Sequence, residues 1–437
     1  MVEPLLGGII GCILLVTLLF LGTPVCIGLG LSGMVGLFLI EGASGAFVGI
    51  SRMAIENLWS VSLLAVPFFI FMGNMVAHHG MGADLYDTVY KWLGRLPGGL
   101  AIASTVMSAL FGFMCGSGLA GTATIGAVAI PEMEERGYNR RLALGTLALA
   151  GGLSAIIPPS ILMILYSVQA GASMGWMFFA GIFPGLILMA LMSAYIFIRV
   201  SINPRLGPPG AKFSTPEKVK SLVHLTPVII LFLFVLGGIF MGVWSPMEAG
   251  AGGTLIAFLI ALGYRRVKRG TINTAALGAV KTSVMIYFLV VGANILGSMF
   301  HVSGLTNVIN QAILGLALPN WGVVIVMVAI LMILGMFMDA IAMLLITIPI
   351  FLPMVLAMGY HPVWFGIIMI VACEMGMITP PVGIHLFVIQ GIAPKGTTLT
   401  DVALGAAPYV GIIWLLFLLM IAFPDIAMWL PSLMRGG

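Results

Sequence analysis

Apolar runs of about 20 residues, enough at 1.5 Å per residue to cross roughly 30 Å of hydrocarbon, recur along the whole of this 437-residue chain. Leu5–Leu21, Trp176–Val200, Ser221–Val243 and Tyr409–Phe423 are examples. This recurrence leaves few folds open, because in lipid every backbone amide must be satisfied within the chain and such a segment spans as a helix. Composition agrees. Apolar residues make up 61% of the chain and charged residues only 7%, against roughly 25% charged in a soluble domain. A large water-soluble core is therefore excluded. The first apolar segment follows Glu3, without a basic stretch or an obvious small-residue cleavage site, so it is expected to be an uncleaved first span. Cys12, Cys26, Cys115 and Cys373 all lie in apolar segments without metal spacing, and no disulfide is expected among them.

The 18 Lys and Arg residues fix an orientation when read as loop clusters. The clusters are Lys91/Arg95, Arg136/Arg140/Arg141, Arg199/Arg205/Lys212/Lys218/Lys220 and Arg265/Arg266/Lys268/Arg269, with Lys281 and Lys395 alone. They sit in short connections between apolar spans, so they mark the cytoplasmic side and not a nucleic-acid surface. One segment resists a simple crossing. Gly98–Pro131 is apolar, yet basic clusters flank it on both sides. It is read as a re-entrant helical hairpin with its tip at Gly116–Ser117–Gly118; two full crossings are the alternative. Trp321–Pro353, broken at Gly335–Asp339 and flanked by segments without Lys or Arg, reads as a second hairpin entering from the other side. With ten full spans and two hairpins, all basic residues except Arg52 and Arg435 fall in the cytoplasm, and both termini are periplasmic.

One offset aligns several landmarks without a gap. Pro158-Pro159 and Pro380-Pro381 are 380 − 158 = 222 residues apart, and the same step carries Thr23-Pro24 to Ser245-Pro246 and Ile130-Pro131 to Leu352-Pro353. It also carries Gly137-Tyr138 to Gly359-Tyr360 and Ser117 to Asp339. Five spans and one hairpin per half is an odd number of crossings, so the second half enters upside down. The expected fold is an all-α polytopic membrane protein of two inverted repeats, residues 1–210 with a hairpin at about 98–132 and residues 211–437 with a hairpin at about 321–355. Inverted repeats with discontinuous helices at matching positions mark secondary transporters.

The chemistry is expected at the tips and at the two Pro-Pro pairs. Consecutive prolines remove backbone donors and unwind a helix. The freed carbonyls suit a hard cation, and the helix that restarts offers its positive amide end to an anion. Ser117 and Asp339 stand at the two tips. Asp339 and Glu374 are the acids placed deep in the membrane, where such groups are costly and usually functional. Asp339 is read as a cation ligand or tip-packing group, whereas Glu374 fits an ion site and an interhelical contact equally well. Ser154, Asn294, His385 and Gln390 are further polar candidates. Met81–Leu96, with Tyr86, Tyr90 and Trp92 beside Lys91 and Arg95, reads as an interfacial helix before the first hairpin, and His301–Asn320 as its counterpart.

The segments Cys115-Gly-Ser-Gly118, Ile130-Pro-Glu-Met133 with Arg136-Gly-Tyr138, and Ile157-Pro-Pro-Ser-Ile161 carry a resemblance. So do Ala180-Gly-Ile-Phe-Pro-Gly185, Gly335-Met-Phe-Met-Asp339, and Thr379-Pro-Pro-Val-Gly383 with Leu386-Phe387. In these, over essentially the whole length, the chain resembles the large membrane subunit of tripartite ATP-independent periplasmic (TRAP) transporters. The resemblance implies an elevator-type, sodium-coupled transporter with two Na⁺ sites and no organic cofactor. It also implies a small four-span membrane partner and a periplasmic substrate-binding protein that delivers an organic acid of the C4-dicarboxylate, sialic acid or sugar-acid type. The ion ligands it implies fall on Gly116, Ser117, Pro158, Ser160, Asp339, Thr379, Pro380 and Gly383. Ser154, Pro159, Pro381 and His385 are expected around the substrate. Departures occur at His385, where an Asn is common, at Ser154, where a Gly is usual, and at Gly118-Leu119, which replaces a more polar pair.

Two competing readings differ in class. A stand-alone sodium symporter for divalent anions would share the hairpins and need no binding protein. A membrane enzyme or channel lacks support, since there is no His-Glu-x-x-His, no Ser/Lys or paired-Asp signature and no repeated filter sequence.

Overall fold

The computed structural model describes residues 2–78, 81–264, 269–315 and 318–434, and every regular element among them is helical. Arg265, Arg266, Lys268 and Arg435 lie outside the described residues, so of the basic cluster at 265–269 only Arg269, at the start of the following helix, is described. The chain opens with α1 (Pro4–Phe20) and α2 (Val25–Leu58), the latter broken by Gly42, whose φ of 74° lies outside the helical range. A 3₁₀ turn leads into α3 (Ala65–His78), and α4 (Met81–Leu93) follows. The first hairpin is α5 (Gly99–Cys115) and α6 (Gly118–Glu135). Next come α7 (Arg140–Ile156), α8 (Ile161–Ala170) and α9 (Met174–Ile202).

The crossing expected at Ser221–Val243 is less regular than its apolar run suggests. It starts earlier, at a Ser214/Glu217 capping box, and strings together α10 (Thr215–Ser221), α11 (Thr226–Phe232) and α12 (Gly238–Phe240) through a 3₁₀ turn and a π segment, Leu233–Gly237. Pro227, one residue into α11, has no amide to close the turn before it, which accounts for the first interruption. The second half continues with α13 (Pro246–Gly263), α14 (Arg269–Val302) and the short α15 (Leu305–Leu314). The second hairpin is α16 (Asn320–Gly335) and α17 (Ala340–Ala357). The chain ends with α18 (Pro362–Met377), α19 (Ile384–Ile392), α20 (Leu399–Ala422) and α21 (Asp425–Ser432).

Among the described residues seven helices are long and apolar enough to cross a membrane, or up to nine if each bent pair counts as one span. Large apolar side chains face outward on the peripheral helices, among them Ile13, Val48, Leu255, Val280 and Phe288. A water-soluble fold would not leave such a surface. The centre is occupied by α7 and α18. Every residue from Leu142 to Ile156 and from Val363 to Met377 is buried. Around one flank α1, α2, α3, α13 and α14 pack on one another, while the hairpins pack on α7 and α18. Small residues let backbones meet, as lipid-embedded helices require. A Cβ on Gly145 of α7 would overlap the Gly405 carbonyl of α20, and one on Gly405 would overlap the Arg141 carbonyl.

Helix ends recur at the offset seen in the sequence. Subtracting 222 from the limits of α17 (340 and 357) gives 118 and 135, the limits of α6. The limits of α18 and α19 similarly fall within one residue of those of α7 and α8.

Candidate functional site

Both Pro-Pro pairs interrupt a helix where the sequence says they must. Between α7 and α8 the residues Ile157 to Ser160 leave the helical path and the two helices meet at 46°. The same happens between α18 and α19 across Ile378 to Gly383. The Pro158-Pro159 and Pro380-Pro381 peptide bonds are both cis.

Each restarting helix is tied to a hairpin tip. The Ile161 amide donates to the Gly116 carbonyl at 3.1 Å, and the Gly383 amide donates to the Met336 carbonyl at 3.2 Å. Residues 161 and 383 are again 222 apart. Gly116 can serve because it has no side chain: its φ is 61°, and a Cβ would overlap the Pro159 carbonyl. At the second tip the backbones of Gly335 and Gly376 press together, with a Cβ on Gly376 falling 2.6 Å from the Gly335 Cα.

The tip residues cap the outgoing arms. Ser117 Oγ accepts from the Ala120 amide at 3.4 Å. Asp339 Oδ1 accepts from the Ile341 and Ala342 amides at 3.0 and 3.1 Å. One carboxylate oxygen is thus spent on the helix start, where the macrodipole favours it. The two tips converge on a cavity of about 60 Å³ lined by Gly116, Ser117, Asp339, Ala340, Ile341 and Glu374 among others. That volume holds an ion or a water molecule and is too small for an organic acid.

Glu374 gives this cavity its character. The residue is 1% exposed, and its Oε2 makes no hydrogen bond. His385 Nε2 lies 3.3 Å away but is not aligned for a hydrogen bond. The carboxylate fits because Gly118 and Gly152 carry no side chains; Cβ atoms there would sit 2.9 and 2.8 Å from Oε2. A charged carboxylate buried without a donor is costly, and either a bound cation or a retained proton offsets that cost.

The remaining expected residues separate into groups. Pro158, Pro159 and Ser160 are fully buried, and Ser160 Oγ has no hydrogen-bond partner. Thr379, Pro380 and Pro381 are more open and line a cavity of about 540 Å³ with α20, large enough for a small organic anion. Thr379 Oγ1 donates to the Met375 carbonyl at 2.7 Å, so its hydroxyl proton is already committed. Gly383 opens α19 with a φ of 59°. Ser154 and His385, expected around the substrate, line neither of these two cavities. Ser154 is locked between α5 and α7, its Oγ 3.0 Å from Ser108 Oγ and donating to the Ser108 carbonyl at 3.1 Å. His385 is buried among helices. Asn294 accepts from Gln169 at 2.7 Å, and Gln390 donates to the Thr397 carbonyl at 3.4 Å, both in interhelical or loop contacts.

Sequence reasoning missed Thr122, whose Oγ1 lies 2.7 Å from His385 Nδ1. One signal was available for Glu374: at the 222-residue offset it falls on Gly152, the residue against which its carboxylate packs. Among the described residues no group of three His, Cys, Asp or Glu side chains could hold a metal ion. The tips offer hard oxygen ligands, from the Ser117 hydroxyl, the Asp339 carboxyl group and backbone carbonyls.

A sequence profile of the tripartite ATP-independent periplasmic transporter family, DctM component, matches residues 12–426. The chain is 31% identical to a C4-dicarboxylate TRAP transporter large permease protein of Vibrio cholerae, over 97% of each chain. It is 34% identical to an isethionate TRAP transporter permease protein of Oleidesulfovibrio alaskensis, over 86% of this chain and 59% of that longer protein. Among solved structures, that of the Alcanivorax borkumensis YdaH transporter, described as having an unusual topology, superposes with a TM-score of 0.67 at 16% identity, over 99% of this chain and all of that one.

Proposed function

Since the chain belongs to the DctM family, as the large permease subunit of a tripartite ATP-independent periplasmic transporter, we propose that it moves an organic acid across the bacterial inner membrane at the expense of a sodium gradient. The family is one of transporter permeases rather than enzymes, and it implies work beside a small membrane subunit and a periplasmic binding protein. The observation that carries the sodium reading is the convergence of both hairpin tips, with Ser117 and Asp339, on one small cavity that Glu374 also lines. Ion ligands on this reading are Ser117 and the Gly116 carbonyl region with the Pro158–Ser160 break, and Asp339 with the Thr379–Gly383 break. The substrate sits beside the more open second break, next to Pro381, where the cavity of about 540 Å³ lies. Relatives named for C4-dicarboxylates and for isethionate both handle small organic anions, which fits a site where helix ends and co-bound cations neutralise the charge.

Residues 1–210 and 211–437 act on this reading as two inverted repeats with both termini in the periplasm. The cluster of α1, α2, α3, α13 and α14 is the stationary scaffold, and the hairpins with α7, α8, α18 and α19 form the moving body. The test is uptake into proteoliposomes containing this chain and its small membrane partner. Labelled succinate is supplied with the cognate binding protein under an inward sodium gradient. Uptake that needs both the gradient and the binding protein supports the reading. Uptake without the binding protein would replace it with a stand-alone symporter.

A further inference from the structure

Where the first hairpin meets the second half of the chain, a single side chain touches three helices besides its own. His385 of α19 is fully buried. Its Nδ1 lies 2.7 Å from Thr122 Oγ1 of α6 and 3.2 Å from the Ala148 carbonyl of α7, and its Nε2 faces Glu374 of α18. A carbonyl can only accept, so the Ala148 contact places the ring hydrogen on Nδ1. Thr122 donates its own hydroxyl proton to the Gly118 carbonyl at 3.0 Å, so toward the imidazole it is the acceptor. The one Nδ1 hydrogen is then shared between the Ala148 carbonyl and Thr122 Oγ1, and the hydrogen-bond series runs from His385 through Thr122 to the first helical residue after the tip. Gly118 also rests on the same pair of side chains, since a Cβ there would lie 2.9 Å from Glu374 Oε2 and 3.2 Å from His385 Cε1. Ser117 is the next residue back.

We propose that His385 is a positioning residue: acting through Thr122, it holds the tip of the first hairpin against α18 and α19 and so sets where Ser117 stands in the cavity shared with Asp339. This rests on reading that cavity as the ion site. The imidazole itself touches no ion. Its contribution is to make one rigid unit of a tip from the first half and a helix break from the second. Sites built from two elements lose function when their supports let them drift by about 1 Å.

The experiment is a sodium titration of the unfolding temperature of the purified protein in detergent, with choline chloride holding ionic strength constant. It gives two readings, the sodium-free unfolding temperature and the half-saturating sodium concentration, fitted as the Kd in a stabilisation that grows as RT ln(1 + [Na⁺]/Kd). Thr122→Val keeps the side-chain shape and loses the hydroxyl. It is expected to raise the half-saturating sodium concentration about five- to tenfold, the worth of one neutral hydrogen bond, and Thr122→Ser is expected to restore it. His385→Asn places an amide donor near the Nδ1 position and stays within about twofold of the wild type. His385→Gln reaches the Nε2 position instead and behaves like Thr122→Val. If Thr122→Val and His385→Gln lower the sodium-free unfolding temperature yet leave half-saturation unchanged, His385 is a packing group and the proposal is overturned. A wild-type protein with no sodium response at all overturns the sodium reading and the proposal together, a failure visible before any variant is compared.

Discussion

Asp339→Asn separates two jobs that one side chain does at the second tip. Oδ1 accepts from the Ile341 and Ala342 amides, and an asparagine carbonyl at the same N-cap accepts them equally well. Sodium-free stability should therefore change by less than about 1 kcal/mol, chiefly through the lost charge–dipole term at the start of α17. The charge itself matters only if a cation is present. At about 4 Å and an effective dielectric of about 20, a carboxylate attracts a monovalent cation by about 4 kcal/mol. The amide oxygen keeps part of that as an ion–dipole attraction. A net loss of about 2 kcal/mol follows, equivalent to about a 30-fold weaker sodium affinity. Asp339→Ala is the contrast, since it also removes the cap and costs about 1 kcal/mol of sodium-free stability. The assay is sodium-dependent thermal stabilisation at fixed ionic strength, with uptake measured in parallel at matched protein levels. An Asn variant with wild-type half-saturation removes Asp339 from the ion site, whatever its effect on folding.

Ser160→Ala deletes a buried hydroxyl that bonds to nothing in the protein, so the sodium-free unfolding temperature should hold or rise while half-saturating sodium increases; unchanged sodium dependence would dismiss Ser160 as a ligand. Single cysteines at positions 97 and 135, just before α5 and at the end of α6, should both react with a membrane-impermeant reagent from the cytoplasmic side, and labelling from opposite sides would refute the hairpin. Gly145→Ala forces a Cβ into the Gly405 carbonyl and should destabilise the protein by about 1–3 kcal/mol, read as a lower unfolding temperature; a well-folded variant melting with the wild type contradicts the close packing of α7 on α20. His361 caps α18 by accepting from the Val363 amide at 3.2 Å, and partial burial against Trp176 holds its imidazole below the ordinary histidine value. The neutral form is thus the stabilising one: its contribution is complete above about pH 6.5 and lost as pH falls below that. His361→Asn, a cap that does not titrate, should flatten stability over that range, and an unchanged acid profile would exclude this cap as its source.

The features legible in the sequence are those set by local chemistry. Proline pairs break helices regardless of what surrounds them, so the interruptions at Pro158-Pro159 and Pro380-Pro381 could be placed to the residue. Gly116–Ser117 and Gly335–Asp339 could be read as tips because a turn and a capping side chain lie side by side. The π segment at Leu233–Gly237 had no such mark, because an apolar run reads the same whether its turns hold 3.6 residues or more. The site was harder still. Thr122 and His385 are separated by 263 positions, and nothing in either neighbourhood says that α6 lies on α19. The same holds for Ser154 and His385. Both are polar and near a break, yet which way a buried helix turns them depends on helices far away in sequence.

The agreement of helix ends across 222 residues also says something about length. One residue added inside α6 would rotate everything beyond it by about 100° and advance it by about 1.5 Å. Such an insertion placed between Ser117 and Thr122 would swing Thr122 away from the imidazole. A hydrophobic pattern tolerates many substitutions, but this architecture tolerates almost no change of spacing between a tip and its break. Even the 203–214 stretch between α9 and α10 is tied to the foot of the first hairpin, the Leu206 carbonyl accepting from the Asn139 amide and the Gly210 amide donating to the Gly94 carbonyl, so fixed spacing reaches into that connection too.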